Sequence, residues 1–186
     1  MIQVQVRASP QDVGRITAAF GTASRQQPLV LKRAVAKTAR WVHTRVIRQA
    51  SSATGLRQRT IKSRFVRLTL NRGGEPAALI KVMDKPIRLS ELHPRQTETG
   101  VSYKVGGAGQ ERVHAFRAVM PTGHLGVFLR RGRKRLPIET QYEFAVGRLM
   151  AERMEEIEEA GRGRLSLEIG RQTDLLLKQL RLKKGG

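Results

Sequence analysis

Five cations in six residues lie between two apolar segments, and they limit how this part of the chain can fold. They are Arg130, Arg131, Arg133, Lys134 and Arg135, grouped around Gly132. Strand-forming residues precede the cations at 127–129 and apolar residues follow them at 136–138, so the pattern predicts a β-hairpin with a basic tip around a glycine turn. Because cations this close repel one another, we expect the tip either to meet an anionic ligand or an acidic protein surface, or to be a solvated hairpin tip.

The charge of the whole chain is strongly positive and uneven along the sequence. The formal net charge is +21 on 186 residues. Residues 1–142 hold 27 Lys and Arg against 7 Asp and Glu, whereas residues 143–186 hold 9 against 8. This shift predicts a basic α+β body over 1–142 and a nearly neutral helical element over 143–186. A polycationic body binds polyanions by counterion release, so nucleic acid is the default partner class, although the few aromatic residues disfavour a base-stacking platform.

The N-terminal third reads as one strand followed by helices. Ile2, Val4 and Val6 alternate with polar residues, which predicts a short strand. Ser9 and Pro10 are typical of a helix start, and we expect that helix to run to about Phe20 and to end at Gly21. A second helix is predicted from about residue 27 to 50. Its apolar face consists of Leu31, Val35, Thr38, Val42 and Val46. A short third helix over 55–64 carries a second basic element, formed by Arg57, Arg59, Lys62 and Arg64.

From residue 65 onward the pattern changes to alternation of period two. It predicts four to six antiparallel strands between 65 and 138, with a long polar loop over 85–100. Helical periodicity returns at 143–159, is interrupted by the Gly-Arg-Gly-Arg segment 161–164, and resumes to the end. The predicted fold class is therefore α+β, with N-terminal helices packed on a small antiparallel β-sheet and with C-terminal helices.

Groupings that support catalysis are absent from the sequence. There is no cysteine, and the four histidines are scattered without the spacing of metal ligands. The glutamates between 152 and 159 are spaced for pairing with arginines on a solvated helix face, and a metal-dependent nuclease is the weaker alternative. We predict a protein that is not an enzyme and that needs no cofactor or metal. The chain has neither an apolar run of about 20 residues nor a signal-peptide pattern at its start, so no membrane partner is expected.

Two segments resemble the minor tail protein Z family of long-tailed bacteriophages and prophages. Residues 31–64 contain a basic helix with the pattern Ala-x-x-x-Thr-Ala-x-Trp, followed by a glycine-led short helix rich in Arg and Lys. Residues 120–139 contain a Met-Pro-x-Gly-His turn, a strand ending in Val-Phe, a basic tip and the run Leu-Pro-Ile-Glu. Both segments occur in the expected order and at a spacing of about 56 residues, in a chain of suitable size and charge.

The resemblance implies a structural virion protein, a tail completion or minor tail component at the head–tail junction. It implies a homo-hexameric ring that contacts neighbouring tail and head–tail connector proteins, with phage DNA in the lumen and no small-molecule substrate. We expect such a protein in the tail or neck of the virion, after synthesis in the host bacterial cytoplasm. The alternative is a non-specific nucleic-acid-binding protein, whose affinity would fall about 10³-fold or more between low and moderate salt if it contacted six or more phosphates.

Overall fold

Two compact units make up the chain in the computed structural model, which describes residues 2–21, 25–71, 76–132, 134 and 136–184. Unit 1 comprises Ile47–Phe65 and Val82–Ala151. Unit 2 comprises Ile2–Val46, Val66–Lys81 and Glu152–Gly186. Each unit is therefore assembled from segments that are far apart in the sequence.

Four α-helices and eleven β-strands are found in these described ranges. The helices are α1 (Pro10–Phe20), α2 (Gln26–Thr54), α3 (Gln58–Arg64) and α4 (Val146–Lys184). The first six strands are β1 (Ile2–Arg7), β2 (Val66–Asn71), β3 (Ala77–Val82), β4 (Pro86–Arg88), β5 (Arg95–Gln96) and β6 (Gly100–Val105). The other five are β7 (Ala108–Val113), β8 (Phe116–Val119), β9 (Leu125–Arg130), β10 (Ile138–Thr140) and β11 (Tyr142–Ala145). A single 3-10 turn spans Leu89–Glu91.

The strands form four small sheets in the part of the chain that the structure describes, so the predicted fold of N-terminal helices on one small sheet is wrong. The strand orders are β1-β3-β2, β5-β6-β7, β10-β9-β8 and β11-β4. The sheets stay separate because most strands pair antiparallel with a near neighbour in sequence, as β6 does with β7 and β8 with β9. Strand β1 precedes the N-terminal helices, as the alternation of Ile2, Val4 and Val6 predicts, and the C-terminal part of the described chain is one long helix instead of several.

The start of α1 follows the sequence closely, which confirms that prediction. Asp12 N–H donates to Ser9 Oγ at 3.1 Å, and Ser9 N–H donates to an Asp12 carboxylate oxygen at 3.2 Å. These reciprocal bonds form a capping box, with Pro10 in the first turn. Gly21 adopts a positive φ of 80° directly after the last helical residue, a conformation that glycine reaches without steric cost.

The apolar face of α2 is confirmed as core at four of its five predicted positions. Val35 is 2% exposed, and Thr38, Val42 and Val46 are fully buried, whereas Leu31 is half-buried. The buried stripe of α2 is centred slightly to one side of the predicted face, because it also includes Val30, Ala34 and Ala39. Helix α2 therefore contributes an aliphatic face to the core, as its 3.6-residue periodicity indicates.

Helix α4 is continuous, so the predicted interruption at 161–164 is wrong. It runs for 39 residues and begins at Val146, because the residues just before it form β11. A Cβ added to Gly161 would lie 3.1 Å from a methyl carbon of Val42 on α2. Glycine at this position permits close helix packing, and that packing offsets the cost of about 1 kcal/mol that glycine carries inside a helix.

The segment 85–100 was expected to be a long loop, and that prediction is also wrong. It contains β4, the 3-10 turn and β5, and β6 begins at its last residue, Gly100. Ile87 and Leu89 are fully buried there and Leu92 is 2% exposed. Isolated apolar residues within a polar segment anchor these short elements, although they are too few to produce a recognisable period.

Candidate functional site: a basic hairpin and a basic helix

The predicted basic hairpin is present in unit 1. Strands β9 and β10 pair antiparallel, with Ile138 opposite Arg130 and Thr140 opposite Phe128. Residues 131–137 connect the two strands and carry the basic tip. On the other side, Gly123 N–H donates to Met120 O at 2.8 Å in the turn that leads into β9, with Gly123 at φ 78°. The hairpin therefore has a defined register on both sides of β9.

A stack of side chains on one face of this sheet positions Arg130. The ring of Phe128 lies over Gly126, where an added Cβ would collide with it. The centroid of that ring is 6.0 Å from the centroid of Phe116 on β8, and the guanidinium carbon of Arg130 lies 5.0 Å from the Phe116 centroid. A guanidinium over an aromatic face gains a cation–π attraction, so Arg130 is held against the sheet while it remains exposed.

The remaining tip cations differ in their surroundings. Arg131 forms an ion pair with Glu139, and its own side chain remains 69% exposed. Lys134 is exposed and has no ion pair among the described residues. Arg133 and Arg135 lie outside the described residues. Gly132 does not adopt a positive φ, and a Cβ there would meet nothing within 4 Å, so its backbone conformation does not require glycine.

The second basic element forms helix α3 and the residue before it. Ile61 is fully buried and anchors the helix, whereas Arg57, Arg59 and Lys62 are exposed and form no ion pair with any described residue. Arg64 differs, since it lies 2.5 Å from a Glu91 carboxylate oxygen and 5.1 Å from the centroid of the Phe65 ring. Arg64 therefore contributes to packing within the unit, and the other three cations remain available to a partner.

The acidic groups of unit 1 are too few to neutralise these cations. Its sequence segments hold 17 Lys and Arg against 6 Asp and Glu. Besides Glu91 and Glu139, Glu143 is engaged, because it accepts a hydrogen bond from the Tyr103 hydroxyl and lies 3.9 Å from Arg112. Burial, followed by the bond to Glu143, raises the pKa of Tyr103 to about 12.

Glu111 is held by two hydroxyl groups. Thr97 and Thr99 each donate to one of its carboxylate oxygens at 2.6 Å, and these bonds lower the pKa of Glu111. Most carboxylates of unit 1 thus have their own partners, and the cations of the hairpin tip and of α3 carry an excess of positive charge.

The acidic cluster on α4 shows no sign of a metal site. No group of side chains that could hold a metal ion occurs among the described residues. Glu158 lies 3.3 Å from Arg162, four residues further on, which is the predicted pairing within the helix, whereas Glu156 lies 3.6 Å from Arg45 on α2, a contact that was not predicted. The described part of the chain also contains no helix long and apolar enough to cross a membrane.

Sequence reasoning found the cations of the hairpin and missed the groups that orient them. No local pattern links Phe116 to Arg130, and Glu139 was noted only as the last residue of the Leu-Pro-Ile-Glu run. The ion pair of Arg131 with Glu139 could have been expected from the hairpin register, which places Glu139 opposite Leu129, near the start of the tip. No signal in the sequence places the Phe116 ring under Arg130, because this contact depends on how β8 pairs with β9.

Comparison with known proteins gives one match. The sequence profile of prophage minor tail protein Z (GPZ) matches residues 21–184, which is most of the chain and includes both segments that carry the resemblance. No curated protein and no solved structure matches. Together with the basic hairpin and α3, the match confirms the family predicted from the sequence. The chain therefore belongs to the family of prophage minor tail protein Z, and it is a structural component of a phage tail.

Proposed function

We propose that this protein is a tail completion component at the head–tail junction, where it assembles into a homo-hexameric ring around the DNA channel. In this proposal the hairpin tip, residues 130–135, lines the lumen and contacts DNA phosphates. Family membership supports a role in the tail. The ring and its position rest on the general behaviour of proteins near the channel, where subunits of one kind close around a symmetry axis.

The observation that carries the proposal is the unneutralised charge of the hairpin tip. Of the three described tip cations, Arg131 alone has a carboxylate partner. Six copies of the tip would place about thirty cations at one level of the channel, which is favourable only beside a dense anion such as DNA. Contacts of this kind hold the duplex through its phosphates without reading its sequence.

Helix α3 supports a contact between neighbouring proteins in the same proposal. Its unpaired cations Arg57, Arg59 and Lys62 would dock on an acidic surface of the next ring or of a connector protein. A docked protein surface excludes water from part of this contact, so it survives moderate salt better than phosphate contacts do.

Charge removal at the tip provides the test. All five tip cations are changed to Gln in one variant, and a control variant removes the same charge from five exposed cations elsewhere. The control positions are Lys32, Arg33, Arg40, Arg48 and Arg67. Phage that lack the native gene are complemented with each variant, and the infectious titre is measured. We expect the tip variant to reduce the titre strongly and the control to leave it near the parental value.

Two outcomes would contradict the proposal. A parental titre from the tip variant would mean that the hairpin is only a solvated tip. Equal losses from both variants would mean that total charge matters and that the tip has no special role. The ring is tested separately by reconstruction of the virion neck, in which six copies are expected and a single copy would exclude a homo-hexamer.

A further inference from the structure

The two exposed aromatic side chains of the chain lie together on one strand. The chain has one Trp, two Tyr and five Phe, and the structure describes all of them. Six are buried or half-buried. Tyr142 and Phe144, both on β11, are 44% and 54% exposed. They are two residues apart, and both are exposed while the Glu143 side chain between them is only 7% exposed, although the register of β11 with β4 shifts between Glu143 and Ala145.

The strand that carries these rings is fixed from its other side. Glu143 lies between them, and its side chain, only 7% exposed, accepts the hydrogen bond from Tyr103 and lies 3.9 Å from Arg112. On the partner strand β4, Ile87 lies opposite Glu143 and is fully buried. Because the inward residues are anchored, Tyr142 and Phe144 are presented to solvent with little freedom of the backbone.

Arginines accompany both rings. Arg88 lies directly across from Tyr142 in the register of β4 and β11. The guanidinium carbon of Arg148, in the first turn of α4, is 5.9 Å from the centroid of Phe144. Both arginines are exposed, and neither forms an ion pair with a carboxylate of the described chain. The surface formed by these four side chains therefore presents two aromatic faces and two free cations.

We propose that this aromatic surface binds single-stranded nucleic acid. The rings would stack on two neighbouring bases, and Arg88 and Arg148 would contact the phosphates that flank them. Exposed aromatic side chains on a strand, combined with cations, are the usual way in which sheets hold single strands. Duplex DNA does not fit, because its bases are already stacked on one another. The two arginines lie in a unit whose sequence segments hold 17 Lys and Arg against 6 Asp and Glu, so a polyanion is favoured over a protein partner.

This inference does not depend on the proposed role of the hairpin tip. The tip would hold a duplex through phosphates alone, whereas the aromatic surface needs unpaired bases. The two sites therefore predict different responses to the same substitutions, and either one can fail without the other.

Binding of oligothymidylate to the purified full chain provides the test. A labelled oligothymidylate of about 12 nucleotides and a duplex of the same length are titrated at one fixed salt concentration. The double variant Tyr142→Leu, Phe144→Leu keeps apolar bulk and removes the aromatic faces. The control variant Val113→Leu, Val119→Leu alters two other exposed apolar side chains of unit 1.

We expect the aromatic variant to bind the oligothymidylate about 10- to 100-fold more weakly, since stacking contributes roughly 1–3 kcal/mol per base. Its affinity for the duplex should change less than about twofold, because phosphate contacts are retained. The control should match the parent with both ligands. Arg148→Gln should lower the oligothymidylate affinity. It should also reduce the slope of log affinity against log salt concentration by about one, as the loss of one phosphate contact does.

Three results would overturn the inference. One is an unchanged affinity of the aromatic variant for oligothymidylate, and another is an equal loss of affinity for single strand and duplex. The third is unchanged oligothymidylate binding together with a loss of assembled tails, which would assign the rings to a protein contact. Melting temperatures of all variants show whether the fold is preserved, and the exposed positions of both rings predict that it is.

Discussion

Both units of this protein bury apolar side chains, but they use their polar groups differently. Unit 2 buries the aliphatic face of α2 together with Leu165 and Ile169 of α4, and the exposed fraction of those two side chains is 2%. In unit 2, the buried hydroxyl of Thr38 and the buried amide nitrogen of Gln172 have no hydrogen-bond partner among the residues that the structure describes. Unit 1 has short strands, and polar pairs such as Tyr103 with Glu143 connect them.

Apolar burial and polar pairs have different consequences for a unit: the first stabilises it, and the second also fixes where its side chains lie. Burial of aliphatic side chains is non-directional, so it stabilises a unit without fixing the orientation of any one group. Hydrogen bonds and ion pairs are directional, and unit 1 uses them beside its exposed cations and rings. We infer that apolar burial stabilises both units, whereas the polar pairs of unit 1 also position the side chains that partners meet.

The largest expected effect tests the apolar core of unit 2. Val42→Asp places a charge at a fully buried position beside Gly161, and we expect it to lower the free energy of unfolding by about 3–5 kcal/mol. Urea denaturation of the variant and the parent measures this. Leu31→Asp, at a half-buried position on the same helix, should cost less, and Leu175→Asp, at a position 51% exposed, should cost little. Equal losses at all three positions would contradict the assignment of the core.

A second prediction concerns the polar pair of unit 1. The pKa of Tyr103 is raised from 10.0 to about 12 in the folded chain, so the folded state retains the hydroxyl proton more tightly than the unfolded state does. Its contribution is therefore complete below pH 10 and is lost as the pH rises through 12. We expect the parent to exceed Tyr103→Phe in stability by about 1.5–3 kcal/mol near neutral pH, the usual contribution of a hydrogen bond to a charged group, and this difference to shrink towards pH 12.

The measurement is denaturation of both proteins at several pH values, and the comparison removes the shared effect of lysine titration. Glu143→Gln should also weaken the pH dependence of this stability difference, because it removes the negative charge that accepts the hydrogen bond from the Tyr103 hydroxyl. A difference that stays constant up to pH 12 would mean that the pKa of Tyr103 is not raised in the folded chain.

A third, smaller effect tests the unused polar group of unit 2. Thr38 is fully buried and its hydroxyl has no hydrogen-bond partner within the described part of the chain, so Thr38→Val removes a buried polar group while it keeps the shape of the side chain. We expect stability to rise by about 0.5–1 kcal/mol in urea denaturation. Thr54→Val is the matched control, because the Thr54 hydroxyl donates to Ala50 O at 2.7 Å and its loss should destabilise the protein. A loss of stability in Thr38→Val would show that this hydroxyl has a partner in solution.

The smallest expected effect concerns the tip itself. Lys134→Gln should change the free energy of unfolding by less than about 0.5 kcal/mol, because the side chain is exposed and has no ion pair among the described residues. Arg131→Gln removes the pair with Glu139 and should cost up to about 1 kcal/mol. Thermal melting compares the two variants. A larger loss of stability from Lys134→Gln than from Arg131→Gln would contradict the finding that Arg131 is the cation with a carboxylate partner.

The sequence was sufficient where a feature depends on neighbouring residues. Ser9, Pro10 and Gly21 set the limits of α1 by local hydrogen bonding and backbone preference, so its bounds could be predicted. The apolar steps of α2 and the alternation around the basic tip are likewise local patterns. The family could also be recognised, because its two characteristic segments are continuous in the sequence.

Features that depend on distant pairing could not be predicted. The pairings of β1 with β3 and of β4 with β11 could not be predicted, because they join strands across long stretches of chain. The role of Gly161 was misread because its partner, Val42, is more than a hundred residues away. The exposure of Tyr142 and Phe144 follows from the anchoring of Glu143 by Tyr103, a contact that leaves no local pattern.

The position of Arg130 depends on uncharged residues that pack beneath it. Gly126 leaves room for the Phe128 ring, which lies beside Phe116, which in turn supports the guanidinium. A single methyl group at position 126 would therefore displace the ring and alter a cation four residues away. Mutations that weaken the tip are expected at small and aromatic positions of β8 and β9 as well as among the arginines, and a survey limited to charged residues would overlook them.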